Sequence, residues 1–140
     1  MRYLIDTNIF IFLAENSDSL SKDVYTIIED YSNLLYISAE SVKELIVLVR
    51  NNKVRFKQWK TQVQMIEAIE HEFGIKIIPI KKEHLLMYAR LTINEAQNHR
   101  DPSDHLILSQ AITEGIPLIS SDRKFFFYTD QGLDFVYNER

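Results

Sequence analysis

The chain has no cysteine, only three glycines and three prolines, and no apolar run approaching a membrane span. Without cysteine there are no disulfides and no thiolate metal sites, which fits a reducing compartment. So few glycines and prolines argue against a low-complexity or disordered polypeptide, and 46% hydrophobic residues support an ordered core. The longest apolar stretch falls far short of the roughly 20 residues that a spanning helix needs. The opening "MRYLIDTNIF" carries an acid at Asp6 and has no signal-peptide pattern, so a soluble, cytoplasmic protein without membrane attachment is expected. At 140 residues a single domain over 1–140 is expected.

Positive charge is also scarce. The net charge is −4, which argues against a general nucleic-acid coat protein. Its distribution is uneven. Lys43, Arg50, Lys53, Arg55, Lys57 and Lys60 crowd one stretch against the single acid Glu44, leaving ten bases against nineteen acids elsewhere. Such a stretch is either a phosphate-binding patch or a solvated connection between helices.

What is present alternates between strand and helix signals. "RYLI" (2–5), "LLYI" (34–37), "IKIIPI" (75–80), "IPLIS" (116–120) and "FVY" (135–137) read as strands. Pro79 points to an edge position for the third. Helices are expected over 8–16, 20–31, 38–50, around 59–73, over 83–96 and from Pro102 to Gly115. Val24, Ile27 and Ile28 face inward from the second, and Val42, Leu45, Ile46 and Val49 from the third. Trp59, Val63, Ile66, Ile69 and Phe73 mark the fourth, and Leu85, Tyr88, Ala89, Thr92 and Ala96 the fifth. Near-continuously apolar strands separated by helices imply an α/β fold: a three-layer α/β/α arrangement around a central, mostly parallel sheet of four to five strands. Ligands bind such sheets at the edge where strands end and helices begin.

Four acids map to that edge from four separate segments. Asp6 ends the first strand, Glu44 lies in the helix after the second, Asp104 opens a later helix, and Asp122 follows the fourth strand. Each has a plain alternative. Asp101 followed by Pro102 reads as a helix cap and first helical position, and Asp104 sits where a carboxylate meets the positive helix end. Asp6 and Asp122 also suit capping. Glu44 is harder to explain this way, because it borders an apolar stripe where a lone carboxylate is costly to desolvate. If the four share one volume, they repel one another, and a hard divalent cation, Mg²⁺ or Mn²⁺, resolves the conflict. Such sites hydrolyse phosphate esters. No Gly-rich phosphate loop and no nucleophile elbow is present.

These segments carry a resemblance. "YLIDTNIF" (3–10), "ISAESVKEL" (37–45), "HRDPSDHLILSQA" (99–111) and "LISSDRKFFFY" (118–128) resemble, in order and spacing, the four motifs of PIN-domain ribonucleases, nearest to the VapC-like toxins of toxin–antitoxin systems. The resemblance implies a PIN-like fold and an endoribonuclease whose metal and catalytic residues are Asp6, Glu44, Asp104 and Asp122. It implies supporting roles for Asn8 and Ser120, and a cognate antitoxin and a homodimer as partners. Asp101 is expected to aim the helix that carries Asp104, with contact to the metal through water as a lesser role. Arg50, Lys53, Arg55 and Lys57 are expected to bind the backbone of an RNA substrate. Many relatives read Asp-Pro-Phe-Asp-Arg where this chain has "DPSDH", so Ser103 and His105 depart from the pattern. His71, His84, His99 and His105 are all expected in surface or structural roles. Two other readings stay open. One is a phosphatase or phosphotransferase using Asp6 as nucleophile, although the usual second acid two residues on is Asn8 here. The other is an inert binding module whose acids merely cap helices.

Overall fold

A computed structural model describes residues 1–140. Five parallel strands form one sheet in the order β3-β2-β1-β4-β5: β1 Arg2–Ile5, β2 Leu34–Ser38, β3 Lys76–Ile78, β4 Leu118–Ser120 and β5 Phe135–Tyr137. Six α-helices connect and cover them: α1 Thr7–Glu15, α2 Lys22–Glu29, α3 Ala39–Arg50, α4 Gln62–His71, α5 Lys82–Arg90 and α6 Pro102–Glu114. None is long and apolar enough to cross a membrane. The sheet is wholly parallel, and β3 is an edge strand, as Pro79 suggested.

Successive strand residues point to opposite faces, and this alternation builds two cores. Ile5, Ile37 and Ile119 face one way, onto Ile9 and Phe10 of α1, Val24 of α2, Leu45 of α3 and Ile69 of α4. Leu4 and Leu118 face the other way, onto Ile107, Leu108 and Ala111 of α6 and onto Phe125 and Tyr128. Register keeps like with like: Leu4 pairs with Leu118, and Ile5 with Ile119. Both faces of the sheet are therefore dry, which is why its strands read as apolar throughout.

Strand order also determines where a site can form. From β1 the chain steps outward to β2 and then β3, crosses back, and continues with β4 on the opposite side of β1. The reversal opens a crevice beyond the C-terminal ends of β1 and β4. Helix starts surround it. Asp6 caps α1, Ser38 caps α3, and Asp101 caps α6 with Pro102 at its first position; Gly115, at φ 64°, closes α6 in the left-handed conformation.

Two helices differ from expectation. The fifth stops at Arg90 instead of continuing to 96, because Leu91 turns extended at φ −65°, ψ 132°. Its inward face is also rotated: Leu85 is 51% exposed, Ala89, Thr92 and Ala96 are exposed, and His84 is buried. His84 accepts from the Lys81 amide and pairs with Glu114 at 3.1 Å, so a polar anchor to α6 sets the phase of α5. In α4, Val63 is 67% exposed, whereas Met65, Ala68 and Ile69 are buried. That helix begins only at Gln62, behind a capping box of Thr61 and Gln64. Trp59 thus precedes the helix and packs with Phe10, Phe56 and Phe73 in an aromatic cluster. The segment after β4 is a run of 3-10 turns over Arg123–Gln131.

Candidate metal centre

A cavity of about 320 Å³ lies in the crevice, lined by Asp6, Thr7, Asn8, Glu44, Leu48, Asp101, Asp104 and Asp122. All four acids expected to converge do so, and Asp101 joins them. No lysine or arginine lines this cavity. The nearby Lys43 is engaged by Glu40 at 2.7 Å.

Each carboxylate is held by a neighbour. Asp6, at the end of β1, accepts from the Thr7 amide through Oδ1 at 2.8 Å and from the Ser120 hydroxyl through Oδ2 at 2.7 Å. Ser120 Oγ in turn accepts from the Asp122 amide at 3.1 Å, so one buried hydroxyl joins the ends of β1 and β4. Glu44, one and a half turns into α3, accepts from Thr7 Oγ1 at 2.7 Å. Asp101 accepts from the amides of Ser103 and Asp104 at 2.9 and 3.4 Å, the capping geometry expected of it. Asp122 accepts from the Lys124 amide at 2.9 Å and caps the 3-10 segment. Capping and convergence are thus compatible: the same turns that cap helices aim acids into one space.

The acids strain one another electrostatically. Burial, then the charges of Asp104 and Glu44, push the Asp6 carboxyl up to about 7, although hydrogen bonds from Ser120 and Thr7 oppose the rise. Burial and the charges of Asp104, Asp101 and Glu40 lift Glu44 to about 7, against the hydrogen bond from Thr7. Asp104 is raised as well, by burial and by Asp101 and Asp122, with His99 pulling it back. A donor set this rich in carboxylate oxygen fits a hard divalent cation. Ligand atoms of Glu44, Asp101 and Asp104 lie within 4.8 Å of one another, as do those of His99, Asp104 and Asp122. Asp104 belongs to both groups, and Asp6 stands in neither, although it lines the same cavity.

Two contributors are absent from the acids and supporting residues that the sequence points to. Thr7, buried between Asp6 and Asn8, bridges to Glu44. His99, expected in a surface or structural role, has its Nε2 3.0 Å from Asp104 Oδ2. Its position five residues before Asp104, just ahead of the cap, was the available signal. His105 is buried and hydrogen-bonds the His99 carbonyl through Nε2 at 2.9 Å; burial holds its imidazole below the usual range. Ser103 donates to Glu40 at 3.1 Å, tying the start of α6 to that of α3. Asn8 is exposed on the cavity wall.

The expected RNA-binding residues sit apart from the acids. Arg50, Lys53, Arg55 and Lys57 are exposed, and none lines the cavity. They leave the end of α3, where Arg50 lies about 9 Å along the axis from Glu44. The Lys53 amide returns to the Leu48 carbonyl at 2.8 Å, and buried Phe56 pins the chain between Arg55 and Lys57.

A wholly parallel α/β/α sheet with acids gathered at its switch point defines a recognisable class. The chain belongs to the PIN domain family, whose model matches residues 3–129. Solved structures agree in fold. VapBC2 from Rickettsia felis, bound to a DNA fragment from their promoter, is 21% identical with a TM-score of 0.73, covering 99% of this chain and 100% of that one. VapBC-1 from nontypeable Haemophilus influenzae is 21% identical with a TM-score of 0.70, covering 98% of each chain. VapBC-5 from Mycobacterium tuberculosis, a member of the VapBC family of toxin–antitoxin systems, is 20% identical with a TM-score of 0.59, covering 99% and 98%. No curated protein sequence matches the chain.

Proposed function

We propose that this protein is a divalent-metal-dependent endoribonuclease acting as the toxin of a toxin–antitoxin pair. The observation that carries the reading is the convergence of five acids, with no lining cation, at the switch point of a PIN fold. Glu44, Asp101 and Asp104, with Asp6 and Asp122 on the same wall, would hold Mg²⁺ or Mn²⁺. Such an ion, when bound, supplies Lewis acidity that makes water a better nucleophile and stabilises charge on phosphoryl oxygens.

The chain's own residues do the rest. Thr7 and Ser120 orient Glu44 and Asp6 by hydroxyl hydrogen bonds, so these carboxylates need not reorganise when a substrate arrives. Asp101 and Pro102 start α6 beside the cavity, and its positive end favours a phosphate there. Arg50, Lys53, Arg55 and Lys57 hold the backbone of a single-stranded RNA at a distance from the acids, where attraction does not compete with ion binding. The chain works as one PIN unit over 1–140, in the cytoplasm, as a homodimer with a cognate antitoxin. The antitoxin partner is supported by the solved relatives, which are VapBC structures.

The test is cleavage of total RNA with and without Mn²⁺ by wild type and by Asp6→Asn and Asp104→Asn. Metal-dependent cuts lost in both variants, with their far-UV spectra unchanged, support the assignment. Full activity in either variant, or in excess chelator, removes it.

A further inference from the structure

One side chain in contact with the acids comes from the connection between α5 and α6. His99 is 2% exposed and packed against Phe125 and Tyr128, with ring centroids 5.4 and 5.5 Å away. The connection is tightly built. Asn94 is buried, its side-chain amide donates to the Lys124 carbonyl at 3.2 Å, and Asn98 takes φ 55° before the chain turns His99 inward. His99 then touches two groups. Its Nδ1 lies 2.9 Å from the Tyr128 hydroxyl, and its Nε2 lies 3.0 Å from Asp104 Oδ2.

The hydrogens on this chain of contacts follow from which groups can donate. The Asn94 backbone N–H, 3.1 Å from the Tyr128 hydroxyl, can only donate, so the hydroxyl accepts there. Its single hydrogen has one acceptor within reach, His99 Nδ1, so a neutral ring accepts it there. The ring hydrogen then sits on Nε2 and points at Asp104. The opposite neutral tautomer leaves the hydroxyl hydrogen without an acceptor and turns an imidazole lone pair towards a carboxylate. A doubly protonated ring also carries hydrogen on Nε2. A nitrogen in that state has no lone pair for a metal ion, even though His99 lies close enough to Asp104 and Asp122 to join a ligand group with them.

We propose that His99 is a positioning residue for Asp104 and not a metal ligand. Its tautomer is locked by the relay from the Asn94 amide through Tyr128. The Nε2–H holds Oδ2 and fixes the carboxylate's rotation, leaving Oδ1 outside that hydrogen bond as the oxygen that would ligate a cation. Partners of this kind are worth about 10–100-fold in metal affinity. This role rests on the reading of Asp104 as a ligand.

The test combines nitrogen NMR of the histidine rings with calorimetric titration of Mn²⁺ into the full chain. In wild type, His99 should show a protonated Nε2, and Mg²⁺ should leave it so. His99→Leu should weaken Mn²⁺ binding about 10–100-fold, and His99→Gln, whose amide can donate along the same direction, should recover most of the loss. Tyr128→Phe should release the tautomer and weaken Mn²⁺ binding in the same direction. An unprotonated His99 Nε2 in wild type overturns the relay, and this readout requires no variant to fold. Unchanged Mn²⁺ binding in His99→Leu overturns the positioning role while leaving the metal centre intact. No Mn²⁺ binding to wild type overturns the metal centre and this role with it.

Discussion

Replacing Asp104 by Asn should stabilise the metal-free protein and remove most of its response to metal. The expectation follows from the pKa shifts. Asp6 and Glu44 have ordinary values of 3.8 and 4.5 and folded values of about 7, and Asp104 is the leading charge raising both. An acid raised on folding contributes stability that is full below its unfolded pKa and lost as pH rises through its folded pKa. The metal-free protein should therefore lose stability between about pH 4 and pH 7 and level off above. At pH 8, above both of those values, Asp6 and Glu44 are largely charged. Removing one charge there relieves both neighbours, by about 1 kcal/mol, a little under the worth of one pKa unit. A chain of 140 residues unfolds with an entropy of about 0.3 kcal/mol/K, so this gain corresponds to about 3 °C in Tm. Mn²⁺ at a hundredfold excess over its Kd adds about 2.7 kcal/mol to wild type, or about 9 °C. The Asp104→Asn substitution should reduce that metal shift to less than a third. At pH 5, where Asp6 and Glu44 are protonated in the folded protein, both differences should shrink. Thermal unfolding at the two pH values, with Mn²⁺ and with chelator, measures all of this. An Asp104→Asn protein that melts lower than wild type at pH 8 without metal, or keeps the full Mn²⁺ shift, refutes the electrostatic account.

Other outcomes follow from single contacts. Thr7→Val keeps the shape of the side chain but removes the donor that holds the Glu44 carboxyl down, so the acidic limb of the pH–rate profile should move to higher pH. Ser120→Ala breaks a buried hydrogen bond to Asp6 and a partly buried one from Asp122, and should cost about 1–3 kcal/mol in urea unfolding. Its metal affinity at pH 6 should fall more than at pH 8, because Asp6 loses a group that favours its charged form; equal losses would count against that role. Lys53→Ala and Arg55→Ala together should raise KM for RNA and flatten its dependence on salt while leaving kcat unchanged, because these residues are exposed and lie away from the cavity. A fall in kcat alone would place them elsewhere in the mechanism. Mn²⁺ binding should release protons below about pH 7 and cease to do so above it, which calorimetry in buffers of differing ionisation enthalpy reads directly.

Much of this was legible in local patterns. Asp101, Pro102 and Gly115 bounded α6 to the residue, Ser38 marked the start of α3, and Pro79 put β3 at an edge. Such signals act within a few residues, through orphan amides, fixed φ angles and missing donors. The failures had a common cause. Apolar spacing extended α5 to 96 and turned Leu85 inward, whereas the phase of that helix is set by His84 reaching Glu114 on α6, 30 residues away. Val63 kept the helical spacing of Trp59 and Phe73, but those two lie outside α4, held by Phe10 of α1.

By itself the sequence determined the type and order of the elements, the two-faced apolar strands, and the four segments that bring acids to strand ends. Those properties depend on short-range backbone chemistry and on periodicity. Only the tertiary structure decided that the acids share one cavity, that Ser120 reaches Asp6 across 114 residues, and that Thr7 and His99 brace the carboxylates. Those outcomes depend on strand order and crossover direction. A reversal between β1 and β4 brings together side chains whose separation along the chain carries no trace of their nearness in space.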